Sequence, residues 1–310
     1  MQQGQWAGQA RAAGAAVEWP SVALLCACYG LWGAGVVWLP AVSLTLAILA
    51  VALAGTLHSS LCHEALHGHP TRHAWVNEAL VFPALSLVIP YQRFRDTHLA
   101  HHQDARLTDP YDDPESNYMD PAVWQGLPAW QKRVLAANNT LLGRMVIGPV
   151  VGQIAFMRAD WRLIRAGTPA VLAAWLWHMP ALGVVLGVWA GFGQMPFWAL
   201  ALGSYGALAI LKIRTFLEHR AHEKARARTV IVEDRGPLAL LFLNNNLHVV
   251  HHAHPQVAWY RLPALYRSRK EAFLRRNEGY VYRSYGQIFR QYFLRGKDPV
   301  AHPLWRRGEN

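Results

Sequence analysis

Charge is scarce in this chain of 310 residues: 16% are Asp, Glu, Lys or Arg, against 53% hydrophobic. That is too little for an ordinary soluble globule. The scarcity is concentrated, because residues 21–57 and 170–211 contain no charged side chain at all. Cysteine is nearly absent. The three present, Cys26, Cys28 and Cys62, lie in or beside apolar segments, and an odd, small count excludes a disulfide framework and a thiolate zinc site. Internal repeats are missing, as is low-complexity sequence beyond the Gly/Ala/Gln-rich first sixteen residues, which read as part of a disordered leader over 1–20. The formal charge is +11; residues 1–211 hold 11 basic and 11 acidic side chains, so the whole excess falls in 212–310, with 19 and 8.

A helical crossing of a bilayer takes about 20 apolar residues, so each charge-free run is long enough for two crossings joined tightly. Leu39-Pro40 divides the first run into about 21–39 and 41–58. Gly191-Phe192-Gly193 divides the second into about 170–191 and 195–217. A cleaved signal peptide would not explain the second apolar segment that follows the first. The hairpin turns carry no charge, whereas Arg93, Arg95, Arg158, Arg162, Arg165, Lys212, Arg214 and Arg220 lie at the other ends. By the positive-inside rule both termini and the middle segment face the cytoplasm, as in a bacterial inner-membrane protein. The apolar stretches 79–90 and 134–157 are short or interrupted and are expected to lie on the leaflet as interfacial helices; a crossing at 140–157 is the alternative.

Histidine, by contrast, is abundant, with sixteen residues. His63 and His67 are four apart, on one face of a helix leaving the membrane. His98, His101 and His102 follow at i, i+3 and i+4, and His248, His251 and His252 repeat that spacing. The fourth crossing runs into Glu218-His219-Arg220-Ala221-His222. One ion cannot use eight or nine imidazoles, so these groups converge on a polynuclear centre. Neutral imidazole suits iron, copper and zinc alike.

In order and spacing, HxxxH, then HxxHH, then a distant NxxxHxxHH after a second membrane hairpin resembles the integral-membrane fatty acid desaturase and hydroxylase superfamily. The likeness covers roughly residues 40–265 and includes Asp113-Pro114-Glu115 and the run His254 to Pro263. It implies an all-α integral-membrane fold: four transmembrane helices in two hairpins, with a cytoplasmic helical cap carrying a histidine-rich di-iron site at the end of an acyl-chain tunnel. It also implies that His63, His67, His98, His101, His102, His248, His251 and His252 bind two iron ions, with His219 or His222 as the additional ligand. An Asn of the animal stearoyl-CoA enzymes that helps hold a metal-bound water corresponds to Thr215; either Thr215 or Asn244 is a candidate for that task. Glu64 is either a carboxylate that orients a ligand histidine or a solvated helix-end residue.

The activity implied is O2-dependent desaturation of a fatty acyl or lipid chain, with electrons from a ferredoxin or a small b-type cytochrome and its reductase, since no haem-binding or ferredoxin-like cysteine segment occurs in the sequence. Lipid hydroxylation and carotenoid ketolation or hydroxylation share the same ligands. Three other readings compete. His63-Glu64-Ala65-Leu66-His67 is a literal HExxH, as in intramembrane zinc proteases, but no Asp in 170–211 supplies a third ligand. A metal-storing or metal-sensing membrane protein is the non-catalytic reading. The basic segment with Arg261, Arg267, Arg269, Lys270, Arg275 and Arg276 invites nucleic acid, yet its interleaved Tyr, Phe and Trp suit an anionic leaflet instead. The expected organisation is a leader over 1–20, a catalytic domain over 21–265 and a basic aromatic interfacial tail over 266–310. His178 is expected to be packed, and His58, His69, His73, His254 and His302 to be solvated or to flank the ligands.

Overall fold

A computed structural model describes residues 17–306. Residues 1–16 of the expected leader lie outside the described residues. The first helix begins at Trp19, just inside that leader. Four helices are long and apolar enough to cross a bilayer: α1 (Trp19–Val37), α2 (Leu44–Leu66), α6 (Pro169–Phe192) and α7 (Phe197–Thr215). Between the hairpins lie α3 (Ala74–Leu80), α4 (Tyr91–His101) and α5 (Gly148–Arg165); α8 (His248–Ala253) and α9 (Tyr285–Tyr292) follow in the cap.

The hairpin turns form where the sequence breaks. Leu39–Val42 makes one helical turn, after which the Ser43 hydroxyl caps α2 by accepting from Leu46 N–H at 3.3 Å. The second hairpin turns at Gly193 and Pro196. The 23 residues of α2, about 35 Å at 1.5 Å per residue, run past the crossing at 41–58 as far as Leu66, continuous with it as the histidine spacing predicts. This helix therefore carries His63 out of the membrane on a rigid rod. Small residues let α2 and α7 approach closely. A Cβ on Gly55 would stand 2.7 Å from the Ala207 methyl, and one on Gly203 would stand 2.7 Å from Val51. Leu46, Leu49 and Leu53 of α2 and Leu172, Leu176 and Trp177 of α6 are exposed, as side chains facing lipid would be.

One expectation for the middle segment fails. Residues 81–90 form no helix, because Pro83 and Pro90 interrupt the ladder. Instead this irregular stretch is packed among the crossings, with Leu85 1% exposed. Its backbone is satisfied from the helices around it: His178 Nε2 donates to Leu87 O at 3.0 Å, Ser204 Oγ to Leu85 O at 3.3 Å, and Ala84 N–H to Ala181 O at 3.3 Å. Irregular backbone is tolerated at membrane depth only when protein supplies such partners. Residues 134–157 are interrupted, as expected. They are divided among Ala129–Asn138, Leu141–Val146 and the start of α5, with breaks at Asn139-Thr140 and Ile147. No crossing runs over 140–157.

In the cap, Ile231–Val232 pairs in parallel with Val281–Tyr282. Tyr266, Phe273, Tyr280 and Tyr285 of the basic segment are buried in the cap core, so these aromatics pack inward. The chain after α9 doubles back over the cap: Leu142 N–H donates to Phe293 O, Lys297 N–H to Asn139 O, and Met119 N–H to Val300 O.

Candidate metal centre

The nine histidines with ligand spacing meet in two groups. One contains His63, His67, His98, His102 and His251; the other contains His101, His219, His248 and His252. Within each group one ring nitrogen per residue lies within 4.8 Å of all the others. The groups adjoin, since the His102 and His252 rings stack at 4.3 Å and 13°.

Local structure explains how each triplet serves both groups. On a helix of 3.6 residues per turn, i and i+4 point about 40° apart, whereas i+3 and i+4 diverge by about 100°. At the end of α4, His98 and His102 accordingly join the first group and His101 the second. In α8 the assignment is mirrored: His248 and His252 join the second group and His251 the first. His219 arrives from the irregular chain beyond α7, held in an antiparallel bridge with Thr229. His222 lies apart, with Nε2 3.4 Å from the Glu278 carboxylate, so the structure selects His219.

Side-chain acceptors turn the rings. His101 Nδ1 lies 2.7 Å from Asp113 Oδ1, His98 Nδ1 3.0 Å from Glu115 Oε1, and His248 Nδ1 3.0 Å from Asn245 Oδ1. A proton held on Nδ1 by an oxygen leaves the Nε2 lone pair facing inward. The inward nitrogens crowd together: His101 and His219 Nε2 are 2.9 Å apart, His98 and His102 3.0 Å, His102 and His251 3.1 Å, and His219 and His248 3.2 Å. Bonds of about 2.0–2.1 Å from imidazole to a metal give separations of this order between adjacent ligands. The buried His63 and His67 Nε2 atoms have no hydrogen-bond partner, which a metal ion would provide. The protonation state also suits a metal. Burial pushes the imidazoles of His219, His248 and His251 well below their ordinary pKa, so they are neutral at neutral pH. At His101 burial acts the same way, but the carboxylates of Glu115 and Asp113 outweigh it and raise the ring to about 9, so a metal binding there would displace the Nε2 proton. The residues present therefore fit two metal ions.

The three asparagines before the third box each have a task. Leu243 and Asn244 adopt left-handed backbone, with φ of 51° and 56°, a conformation that Asn tolerates better than most residues. Asn244 Nδ2 donates to Trp259 O at 3.1 Å, and Asn246 Nδ2 donates to Val232 O at 2.6 Å. Asn244 is thus bound to the loop after the third box, whereas Thr215 lines the cavity beside His219. Glu64 is buried rather than solvated. Its Oε2 accepts from Trp259 N–H at 3.0 Å, and its Oε1 stands 3.9 Å from His63 Nδ1. That engagement and the membership of His63 and His67 in a five-histidine group leave the zinc-protease reading without its base and its site. Spacing alone missed Asn245, and gave no role to Asp113 and Glu115. Their signal was acidic and amide residues shortly after or before a box.

Three histidines expected in solvent or beside the ligands are buried elsewhere. His58 sits within α2 beside Tyr29 and Cys62, His69 pairs with Glu18 at 2.9 Å, and His302 meets Thr108 at 3.2 Å. His73 is exposed and His254 half-buried, while His178 is packed as expected.

A cavity of about 810 Å3 adjoins the second group, within the usual range of about 300–1,000 Å3 for small-molecule sites. His101, Thr215 and His219 line one part of it, and Phe82, Phe156, Ala181 and Leu208 line another.

No curated protein matches this sequence. The sequence model of one family, described as "Fatty acid desaturase", matches residues 36–284, which include the last three of the four spans and all nine clustered histidines. With four apolar helices long enough to cross a bilayer and two adjoining histidine clusters, one of them reaching a ligand-sized cavity, the chain is an integral-membrane protein and belongs to the fatty acid desaturase family of oxidoreductases.

Proposed function

We propose that the protein is an O2-dependent fatty acyl or lipid desaturase whose nine clustered histidines hold two iron ions. The observation that carries this reading is the cavity, apolar along much of its wall, that reaches His101 and His219 of the four-histidine group. Two iron ions bound by these groups would supply the redox chemistry, taking electrons from an external ferredoxin or b-type cytochrome and using O2 to remove hydrogen from a methylene.

The remaining work falls to the chain itself. Phe82, Phe156, Ala181 and Leu208 offer apolar contact to an alkyl chain and exclude water from it. Thr215, next to His219 on the wall, has the one hydroxyl at that end of α7 and so meets the part of the substrate nearest the centre. Asp113, Glu115 and Asn245 keep the rings turned, so that a bound chain faces a centre of fixed geometry. The basic excess near the histidine-bearing ends supports a cytoplasmic site with both termini on that side, as in a bacterial inner membrane.

The test is expression in a host with simple lipids, followed by mass spectrometry of fatty acids and pigments. A product lighter by two hydrogens supports desaturation. A product heavier by one oxygen identifies a hydroxylase, and one that gains an oxygen and loses two hydrogens identifies a ketolase; either would replace the proposal. Iron uptake with no O2-dependent product from any lipid, given a competent reductant, would refute an enzymatic role.

A further inference from the structure

The cavity wall contains a cation that forms no ion pair with any described residue. Arg93, Arg162, Lys212 and Arg214 all line the cavity. Arg93 forks onto Asp160 at 2.8–3.1 Å, Arg214 faces Glu218 at 3.0 Å, and Arg162 is exposed. Lys212 is only partly exposed and makes no hydrogen bond or ion pair with any described residue. The acidic groups that share the cavity are engaged elsewhere: Glu78 with Gln92 and Arg95, Glu115 with His98, Asp113 with His101, Asp160 with both Arg93 and Trp175 Nε1, and Glu218 with Arg214.

Lys212 stands in the last turn of α7, on one stripe with Leu208, Leu211 and Thr215. Opposite it, α5 presents Gly152, where a Cβ would come 3.5 Å from Lys212 Nζ. The ammonium is therefore placed in the gap between α5 and α7, with leucine on its membrane side and Thr215 on its metal side. An ammonium kept in such surroundings costs free energy unless an anion joins it, and charged groups retained at membrane depth usually serve a ligand.

We propose that Lys212 binds the anionic head of the substrate, a carboxylate or a phosphate, so that the enzyme takes an acidic lipid into the cavity by its charged end. This inference rests on the lipid-oxidising reading above and adds the substrate class. Lys212 and Thr215 are one turn apart, about 4.5 Å along the helix axis, so the anchored end fixes which carbons reach the centre. A thioester substrate whose carrier remains outside the cavity would present no charge to Lys212.

The test uses the full-length iron-loaded protein in nanodiscs of neutral lipid, with radiolabelled palmitate, palmitoyl lysophosphatidate and uncharged hexadecanol as probes. The wild type should bind at least one acid roughly tenfold or more tighter than hexadecanol, as befits a hydrogen-bonded charge. Lys212→Met should lose that preference while binding hexadecanol as before, which also reports an intact fold, and Lys212→Arg should keep it. Whichever acid binds tighter assigns the head as carboxylate or phosphate. Displacement of both acids by inorganic phosphate alone at millimolar concentration would make this a free-anion site and overturn the proposal. A preference that survives in Lys212→Met would overturn it too, while leaving the oxidase reading intact. Failure of the wild type to bind any of the three probes would remove the lipid reading and the anchor together.

Discussion

Asp113→Asn isolates one half of the centre. The Asp113 carboxylate is 5% exposed and fully used: Oδ1 accepts from His101 Nδ1 at 2.7 Å and from Glu115 N–H at 2.9 Å, and Oδ2 accepts from Thr108 N–H at 2.8 Å. Asparagine keeps one acceptor. If its oxygen stays on His101, its amide hydrogens face the buried Thr108 N–H; if it flips, they face His101 Nδ1, and the imidazole proton moves to Nε2, where it blocks a metal. Either way a buried donor is left unsatisfied, at about 1–3 kcal/mol. Since 1.36 kcal/mol is tenfold, this corresponds to roughly 10–100-fold in metal affinity, the usual effect of removing a carboxylate behind a ligand histidine. His101 belongs to the four-histidine group, and none of the five other histidines touches Asp113. At limiting iron the variant should therefore retain one ion where the wild type retains two, measured by elemental analysis after graded chelation. Glu115→Gln should weaken chiefly the five-histidine group, through its 3.0 Å contact with His98, and the four-histidine group less, because Glu115 Oε2 also stands 3.8 Å from His101 Nε2. Equal loss from both groups, or two ions held as tightly as in the wild type, would refute this account.

Four further outcomes follow from the packing. Gly203→Leu should push α2 from α7 and cost about 1–3 kcal/mol by overpacking, lowering thermal stability and iron content together, because a Cβ there already meets Val51 at 2.7 Å. Glu64→Gln should retain activity by keeping an acceptor for Trp259 N–H, whereas Glu64→Ala should lose about 1–3 kcal/mol of stability; a Gln variant as inactive as Ala would mean that the charge itself is needed. Arg93→Met strands the Asp160 carboxylate, 1% exposed, and should destabilise the fold by about 3–5 kcal/mol, with recovery in the double variant Arg93→Met/Asp160→Leu. Ferrous iron at about a thousand times its dissociation constant should stabilise the apoprotein by about 4 kcal/mol, seen as a rise in Tm; a Tm indifferent to iron would contradict metal binding by these clusters.

The sequence by itself determined the membrane spans and the set of histidines that cluster. Both are local properties. A charge-free run of sufficient length has no better environment than a bilayer, and histidines at i, i+3 and i+4 must project from one side of a helix whatever surrounds them. Residues 81–90 looked like a surface helix because composition records their apolarity, not that His178 and Ser204 wait across the bundle to satisfy their carbonyls.

Tertiary structure alone decided the division of nine histidines into five and four, the choice of His219 over His222, and the pairing of Asp113 with one group and Glu115 with the other. Spacing along a chain states which side chains share a face. It cannot state what that face meets, because the ring nitrogens converge from helices up to 188 residues apart, from His63 to His251, and only the close packing of α2 on α7 and the fold of the cap bring them within reach of a common ion.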